Sequence, residues 1–114
     1  MKTADLISPA LDWAVAKCEG PDSVAACYYD EDDLPMCRDE APFMEWEPAI
    51  NWAQGGPIIE REKIRINAMQ RGDWYAEAWG LPIRVYGPTP LIAAMRCYCV
   101  SKLGEEVDVP EELI

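Results

Sequence analysis

The stretch Gly87-Pro88-Thr89-Pro90-Leu91-Ile92-Ala93-Ala94-Met95-Arg96-Cys97-Tyr98-Cys99-Val100-Ser101-Lys102-Leu103-Gly104 is the best-defined element of the chain. The Thr89 hydroxyl suits a helix cap, because it can accept a free N–H of the first turn. Pro90 suits the first helical position, where no backbone donor is needed. Gly104 stops the helix, which predicts a body over residues 91–103. Leu91, Ile92, Met95, Tyr98, Cys99 and Leu103 form a wide apolar stripe. Ala93, Cys97 and Val100 make the opposite side apolar too, and only Arg96 and Lys102 carry charge. A helix so uniformly apolar needs cover on more than one face. A sheet supplies one cover, and the second is either an acidic insertion or another subunit.

The residues just upstream supply that sheet. Residues 63–69 alternate, with Ile64 and Ile66 on one face and Arg65 and Asn67 on the other. Arg71-Gly72-Asp73 reads as a hairpin turn into a second strand over residues 74–79. Gly80-Leu81-Pro82 turns into a third over residues 83–86. Short strands joined by tight turns imply an antiparallel meander. In the second strand Trp74, Ala76 and Ala78 share one face and Tyr75, Glu77 and Trp79 the other, so both faces are expected to be covered.

Before the strands, Asn51 can cap a short turn through Trp52, Ala53 and Gln54. Gly55-Gly56 should interrupt it, and Pro57 should start another turn through residues 58–62. At the N-terminus a helix is expected over residues 8–19, capped by Ser8 with Pro9 in first position. Leu11, Ala14, Val15 and Cys18 fall on one face, and Gly20-Pro21 ends it. The fold class that follows is α+β: a short antiparallel three-stranded (or slightly larger) sheet packed by the N- and C-terminal helices. Residues 1–114 form a single domain on this reading. Residues 21–49 are an irregular, proline-punctuated acidic insertion, in which residues 24–29 suit a short strand. Tyr28, Tyr29, Phe43 and Trp46 are the side chains able to dock it on the body.

Charge is unevenly placed. Residues 19–47 carry ten acids and one base, and the tail at residues 105–114 carries five acids and no base. Residues 60–103 carry seven bases against four acids. The sequence therefore describes a mildly basic body with two acidic appendages. The net charge of −11 over 114 residues argues against direct nucleic-acid binding, which depends on neutralising phosphates. No apolar run reaches the roughly 20 residues of a membrane span, and the first residues lack an apolar signal-peptide core. The expectation is a cytoplasmic protein that does not contact the membrane.

The absence of histidine removes the commonest general base and metal ligand. Five cysteines, Cys18, Cys27, Cys37, Cys97 and Cys99, are expected as free thiols. Cys97 and Cys99 point to nearly opposite sides of a helix, and Cys27 and Cys37 lack zinc-finger spacing, so no metal and no cofactor is expected. The chain is read as a binder and not an enzyme. Glu77 beside Trp79 is the one carboxylate placed to act as a general acid in a weak hydrolase, were it buried.

Three blocks of the sequence are recognisable together. They are Leu11-Asp12-Trp13-Ala14-Val15-Ala16-Lys17-Cys18-Glu19-Gly20, Asn51-Trp52-Ala53-Gln54-Gly55-Gly56-Pro57-Ile58-Ile59-Glu60-Arg61-Glu62, and the segment from Gly87 to Tyr98 running on to Ser101-Lys102-Leu103-Gly104. In this order they resemble the NinX-like family of small tailed-phage and prophage proteins, a family without an assigned function. The order of elements is also similar to the small phage alpha-beta-alpha sandwich domains. The resemblance implies an accessory protein made in the cytoplasm of an infected bacterium, of a type that redirects the host or blunts its anti-phage defence. It carries over no catalytic residue.

Two binding surfaces emerge from the residues themselves. In the first, Gly55-Gly56 lets a backbone approach a ligand, helix starts there and at Thr89 offer N–H groups to an anion, and Arg61 and Arg96 neutralise it. Trp52 would stack on a ring, so the ligand expected at Trp52, Gly55, Gly56, Arg61, Thr89 and Arg96 is a small anion or a nucleotide. The plainer reading makes the glycines a kink, Trp52 core and Thr89 a simple cap. In the second, Asp30, Glu31, Asp32 and Asp33 imitate phosphates and engage a basic host protein; the plainer reading is a solvated loop. The all-round apolar last helix and the aromatic content together predict a homo-oligomer.

Overall fold

Why the last helix is apolar on every side becomes clear from what surrounds it. The computed structural model describes residues 1–20 and 46–114. Helix α3 (Pro90–Leu103) lies between a three-stranded sheet and two other helices, α1 (Ala10–Glu19) and α2 (Trp52–Glu62). The sheet has strand order β1 (Arg65–Ala68), β2 (Trp74–Glu77), β3 (Arg84–Gly87), with both pairings antiparallel. The architecture is the expected α+β arrangement, with Leu91, Ala93, Ala94, Met95, Cys97, Tyr98 and Cys99 buried along α3. The second cover of α3 is thus the chain's own α1 and α2, together with the 3-10 turn at Thr3–Asp5 that precedes α1.

The caps of α3 act as the sequence implies. Thr89 Oγ1 accepts from Ile92 N at 3.1 Å, Pro90 occupies the first turn, and Gly104 ends the helix at φ 85°. The start of α1 differs. It begins at Ala10, with Pro9 in the cap position, because the Ser8 hydroxyl bonds the Asp12 side chain instead of a free N–H. Asp12, buried on α1, accepts from Ala49 N at 3.1 Å, while its carbonyl accepts from the Trp46 indole at 2.9 Å. These two bonds tie residues 46–49 to α1. The strand expected at residues 24–29, and Tyr28, Tyr29 and Phe43, lie outside the described residues.

Residues 52–62 form one continuous helix, not two turns broken at the glycine pair. Asn51 caps it by accepting from Ala53 N at 2.9 Å, and Lys63 closes it in the left-handed region at φ 55°. Pro57 removes one ladder donor, yet the helix runs through it because Ile58 is buried and Ile59 packs on the same core. Tertiary burial here outweighs the local breakers.

In the sheet, β1 and β2 pair Arg65 with Glu77 and Asn67 with Tyr75, and β2 and β3 pair Tyr75 with Tyr86. Strand β2 stops at Glu77, and β3 lies one residue later than the alternation implies. Ala76, Val85 and Gly87 face α3 and are buried. The opposite face is open, contrary to the expectation that both faces are covered: Trp79 is 74% exposed and Tyr86 42% exposed. The C-terminal acids do not form a loose appendage either. Thr3 N donates to Glu105 O, Val107 N donates to Met1 O, and Leu113 is buried in a short 3-10 turn (Glu111–Leu113).

Candidate functional site

The close approach of β3 to α3 builds an open cleft. A Cβ at Gly87 would lie 2.7 Å from Ala93 N, so only glycine lets the strand end sit on the first turns of the helix. This contact brings the Tyr86 carbonyl within 2.9 Å of Arg96 Nη1. Arg96 Nε donates to the Leu6 carbonyl at 2.8 Å. The guanidinium is therefore fixed by two backbone oxygens, and no carboxylate lies within ion-pair distance among the described residues. Burial pushes Arg96 below its ordinary value, opposed by the more distant charge of Asp5. Around it opens a cleft of ≈ 380 Å³ lined also by Asp5, Asp73, Arg84, Tyr86 and Pro88.

The charges in this cleft are unequal in availability. Asp73 is paired with Arg71 at 2.9 Å, and Arg84 with Glu77 at 3.5 Å. Among the described residues Arg96 makes no ion pair and donates to carbonyls, with the Asp5 carboxylate farther off in the same cleft. An anion entering would meet one preoriented guanidinium.

The other sequence-predicted residues are dispersed. Gly55 packs on Leu91 and the Pro48 carbonyl, each 2.5 Å from where its Cβ would be, so it serves helix packing. Gly56 has no atom near its missing Cβ, and Trp52, at the start of α2, is half exposed. Thr89 is spent on its cap. Arg61 lies at the far end of α2, where it pairs with Glu19 at 2.8 Å and Glu62 at 2.9 Å and donates to Tyr98 Oη at 3.1 Å. These hydrogen bonds hold Arg61 above its ordinary value. Lys102 adds a 3.1 Å pair to Glu62, and the group clamps the ends of α1, α2 and α3 together. Of the six residues, Arg96 alone lines the cleft. Asp30, Glu31, Asp32 and Asp33 lie outside the described residues.

A scan of protein families decides the kinship. The model described as "Bacteriophage P22, NinX" matches residues 2–102. The chain belongs to the phage NinX family. No curated protein matches the sequence. The NinX match covers the three blocks that carried the resemblance, save the last two residues of the third, and the fold gives each a structural reason. The first block supplies the buried face of α1, the second the capped and glycine-packed α2, and the third the strand-to-helix junction beside Arg96.

Residues that sequence reasoning left out are Arg84, Asp73 and Asp5. Arg84 had a legible signal, since it is the charged position of an alternating strand; Asp5 and Asp73 are brought to the cleft by tertiary contacts alone. For catalysis the described residues offer little. Glu77 is half-buried and faces Arg84, so its carboxylate is paired rather than isolated against Trp79. Burial pushes the Cys97 thiol up to about 11 and Cys99 also upward, the latter chiefly through its hydrogen bond with Cys18, so neither is an activated nucleophile. Among the described residues no group of acids and cysteines could hold a metal ion. No described helix is long and apolar enough to cross a membrane.

Proposed function

We propose that this phage protein acts by binding and not by turnover, taking a small anionic ligand of nucleotide size in the cleft beside Arg96. The observation that carries this reading is the guanidinium of Arg96, held by the Leu6 and Tyr86 carbonyls with no carboxylate partner among the described residues. The cleft volume falls within the roughly 300–1,000 Å³ of small-molecule sites. Arg84 and Tyr86 offer a second cation and a ring edge. Membership of a phage family supports a role in the cytoplasm of the infected host, where sequestering such a ligand would alter host physiology or defence. Calorimetric titration with inorganic phosphate and with nucleoside monophosphates tests it. Binding by the wild type and its loss in Arg96→Gln is the expected result, and absence of heat with every anion overturns it.

A second reading keeps the acidic segment as the working part. The balance of −9 over residues 19–47 favours contact with a basic host protein. Neutralising Asp30, Glu31, Asp32 and Asp33 would abolish that contact and leave anion binding intact. A homo-oligomer on this structure would use the exposed Ile50 and Trp52, or Trp79, because α3 is already covered.

A further inference from the structure

The open face of the sheet carries a regular interleaving of rings and cations. Strand register sets Arg65 beside Glu77, Asn67 beside Tyr75, and Tyr75 beside Tyr86. The Arg84 guanidinium lies 4.5 Å from the Tyr75 ring centre, Arg71 lies 5.8 Å from that of Tyr86, and Lys63 lies 5.9 Å from Trp79. The two tyrosine rings are 6.2 Å apart. Each ring is thus paired with a cation on one outward surface, whereas Ala76, Val85 and Gly87 on the reverse are packed against α3.

Exposed aromatic residues on a sheet normally invite aggregation unless something uses them. Here Trp79 and Tyr86 are exposed and Tyr75 is half-buried, with cations rather than apolar side chains beside the rings. Four cations, Lys63, Arg65, Arg71 and Arg84, stand among them against two carboxylates, Asp73 and Glu77. Rings that accept a π-face, alternating with guanidinium groups that accept a phosphate or stack on a base, match the chemistry of a single-stranded polynucleotide. A peptide of mixed charge has no use for three separate stacking positions, and a duplex hides the faces of its bases.

We propose that the face formed by Tyr75, Trp79 and Tyr86 with Lys63, Arg65 and Arg84 binds single-stranded nucleic acid, its bases stacked on the rings and its phosphates on the cations. The net charge of −11 is unevenly distributed along the sequence: residues 60–103, which supply this face, carry seven bases against four acids. The long-range field does predict slow, unsteered association.

Fluorescence anisotropy of end-labelled octathymidylate and octauridylate, at about 50 mM salt, reads the interaction directly. Both octamers are expected to bind, with affinity falling on added salt at a slope near that of three phosphate contacts, about −2. Tyr75→Ala and Trp79→Ala should each weaken binding roughly ten-fold, while Tyr75→Phe should stay within about two-fold. Trp79→Ala removes an exposed ring and leaves the core intact, so it decides the matter even if Tyr75→Ala destabilises the sheet. No anisotropy change, equal binding of a hairpin duplex, or alanine variants indistinguishable from wild type would each overturn the proposal. Trp79 lies outside the cleft lining and Arg96 outside the sheet face, so loss of octamer binding in Trp79→Ala and loss of phosphate binding in Arg96→Gln report the two sites separately.

Discussion

Gly55 and Leu91 are locked together: a Cβ added to the glycine would stand 2.5 Å from Leu91 Cδ1 and equally close to the Pro48 carbonyl. Its neighbour Gly56 has open space in the same direction. Adjacent glycines in one helix therefore have opposite reasons for being there. Gly55→Ala is expected to destabilise by about 1–3 kcal/mol, since backbone cannot yield as a flexible side chain can. Gly56→Ala should stabilise by about 0.5–1 kcal/mol through helix propensity. Urea denaturation of the two variants measures both, and equal signs would refute this account of α2 packing.

Asp12 lies almost fully buried beneath Ala49. Burial raises its carboxyl above the ordinary value, against the hydrogen bonds from Ser8 and Ala49 N that lower it, with Glu47 adding to the rise. The folded state thus holds this proton more tightly than the unfolded chain. Its contribution to stability is fully present below the unfolded value, near 3.9, and is lost as pH rises through the folded value. Asp12→Asn keeps an acceptor for Ala49 N without the charge. The stability of the variant relative to wild type should grow from pH 3.5 towards neutrality, as read by denaturant midpoints across that range.

The Thr3 hydroxyl is buried with no hydrogen-bond partner among the described residues. An orphaned hydroxyl costs about 1–3 kcal/mol, so Thr3→Val, which keeps the shape, should stabilise by about 1 kcal/mol. Thermal melts of the two proteins suffice. A lower melting temperature for the valine variant would mean that the hydroxyl is satisfied in solution.

Arg61 was expected to meet an anion and instead meets Glu19, Glu62 and Tyr98. Arg61 is half exposed, so solvent screening holds its coupling to Glu19 to about 1 kcal/mol. A double-mutant cycle with Arg61→Ala and Glu19→Gln should return that value, and Arg61→Ala should leave phosphate binding at the cleft unchanged. Loss of phosphate binding in Arg61→Ala would place the anion at the helix ends instead.

Much of the fold was legible because its signals are local. Thr89, Pro90 and Gly104 bound α3 by their own backbone chemistry, and Arg71-Gly72-Asp73 turns the hairpin, with Gly72 at φ 101°. The cap expected at Ser8 and the break expected at Gly55-Gly56 failed for a common reason. Each was read from the residue's own preference, whereas the Asp12 carboxyl captured the Ser8 side chain and the burial of Ile58 carried the helix through Pro57. The site was less legible still. Whole-chain charge hides the cations of the open sheet face, and nothing in the spacing of Leu6, Tyr86 and Arg96 announces that they meet.

Taken alone, the amino-acid order determined the elements, their antiparallel sequence, the family and the want of an imidazole, all properties of short windows or of composition. Only the tertiary structure decided which neighbours cover α3, which glycine is a packing contact, and which carbonyls hold Arg96. Those depend on distances between segments up to 90 positions apart, as Leu6 and Arg96 are, and a hydrogen bond across such a gap is fixed by the summed burial of the whole core rather than by either residue.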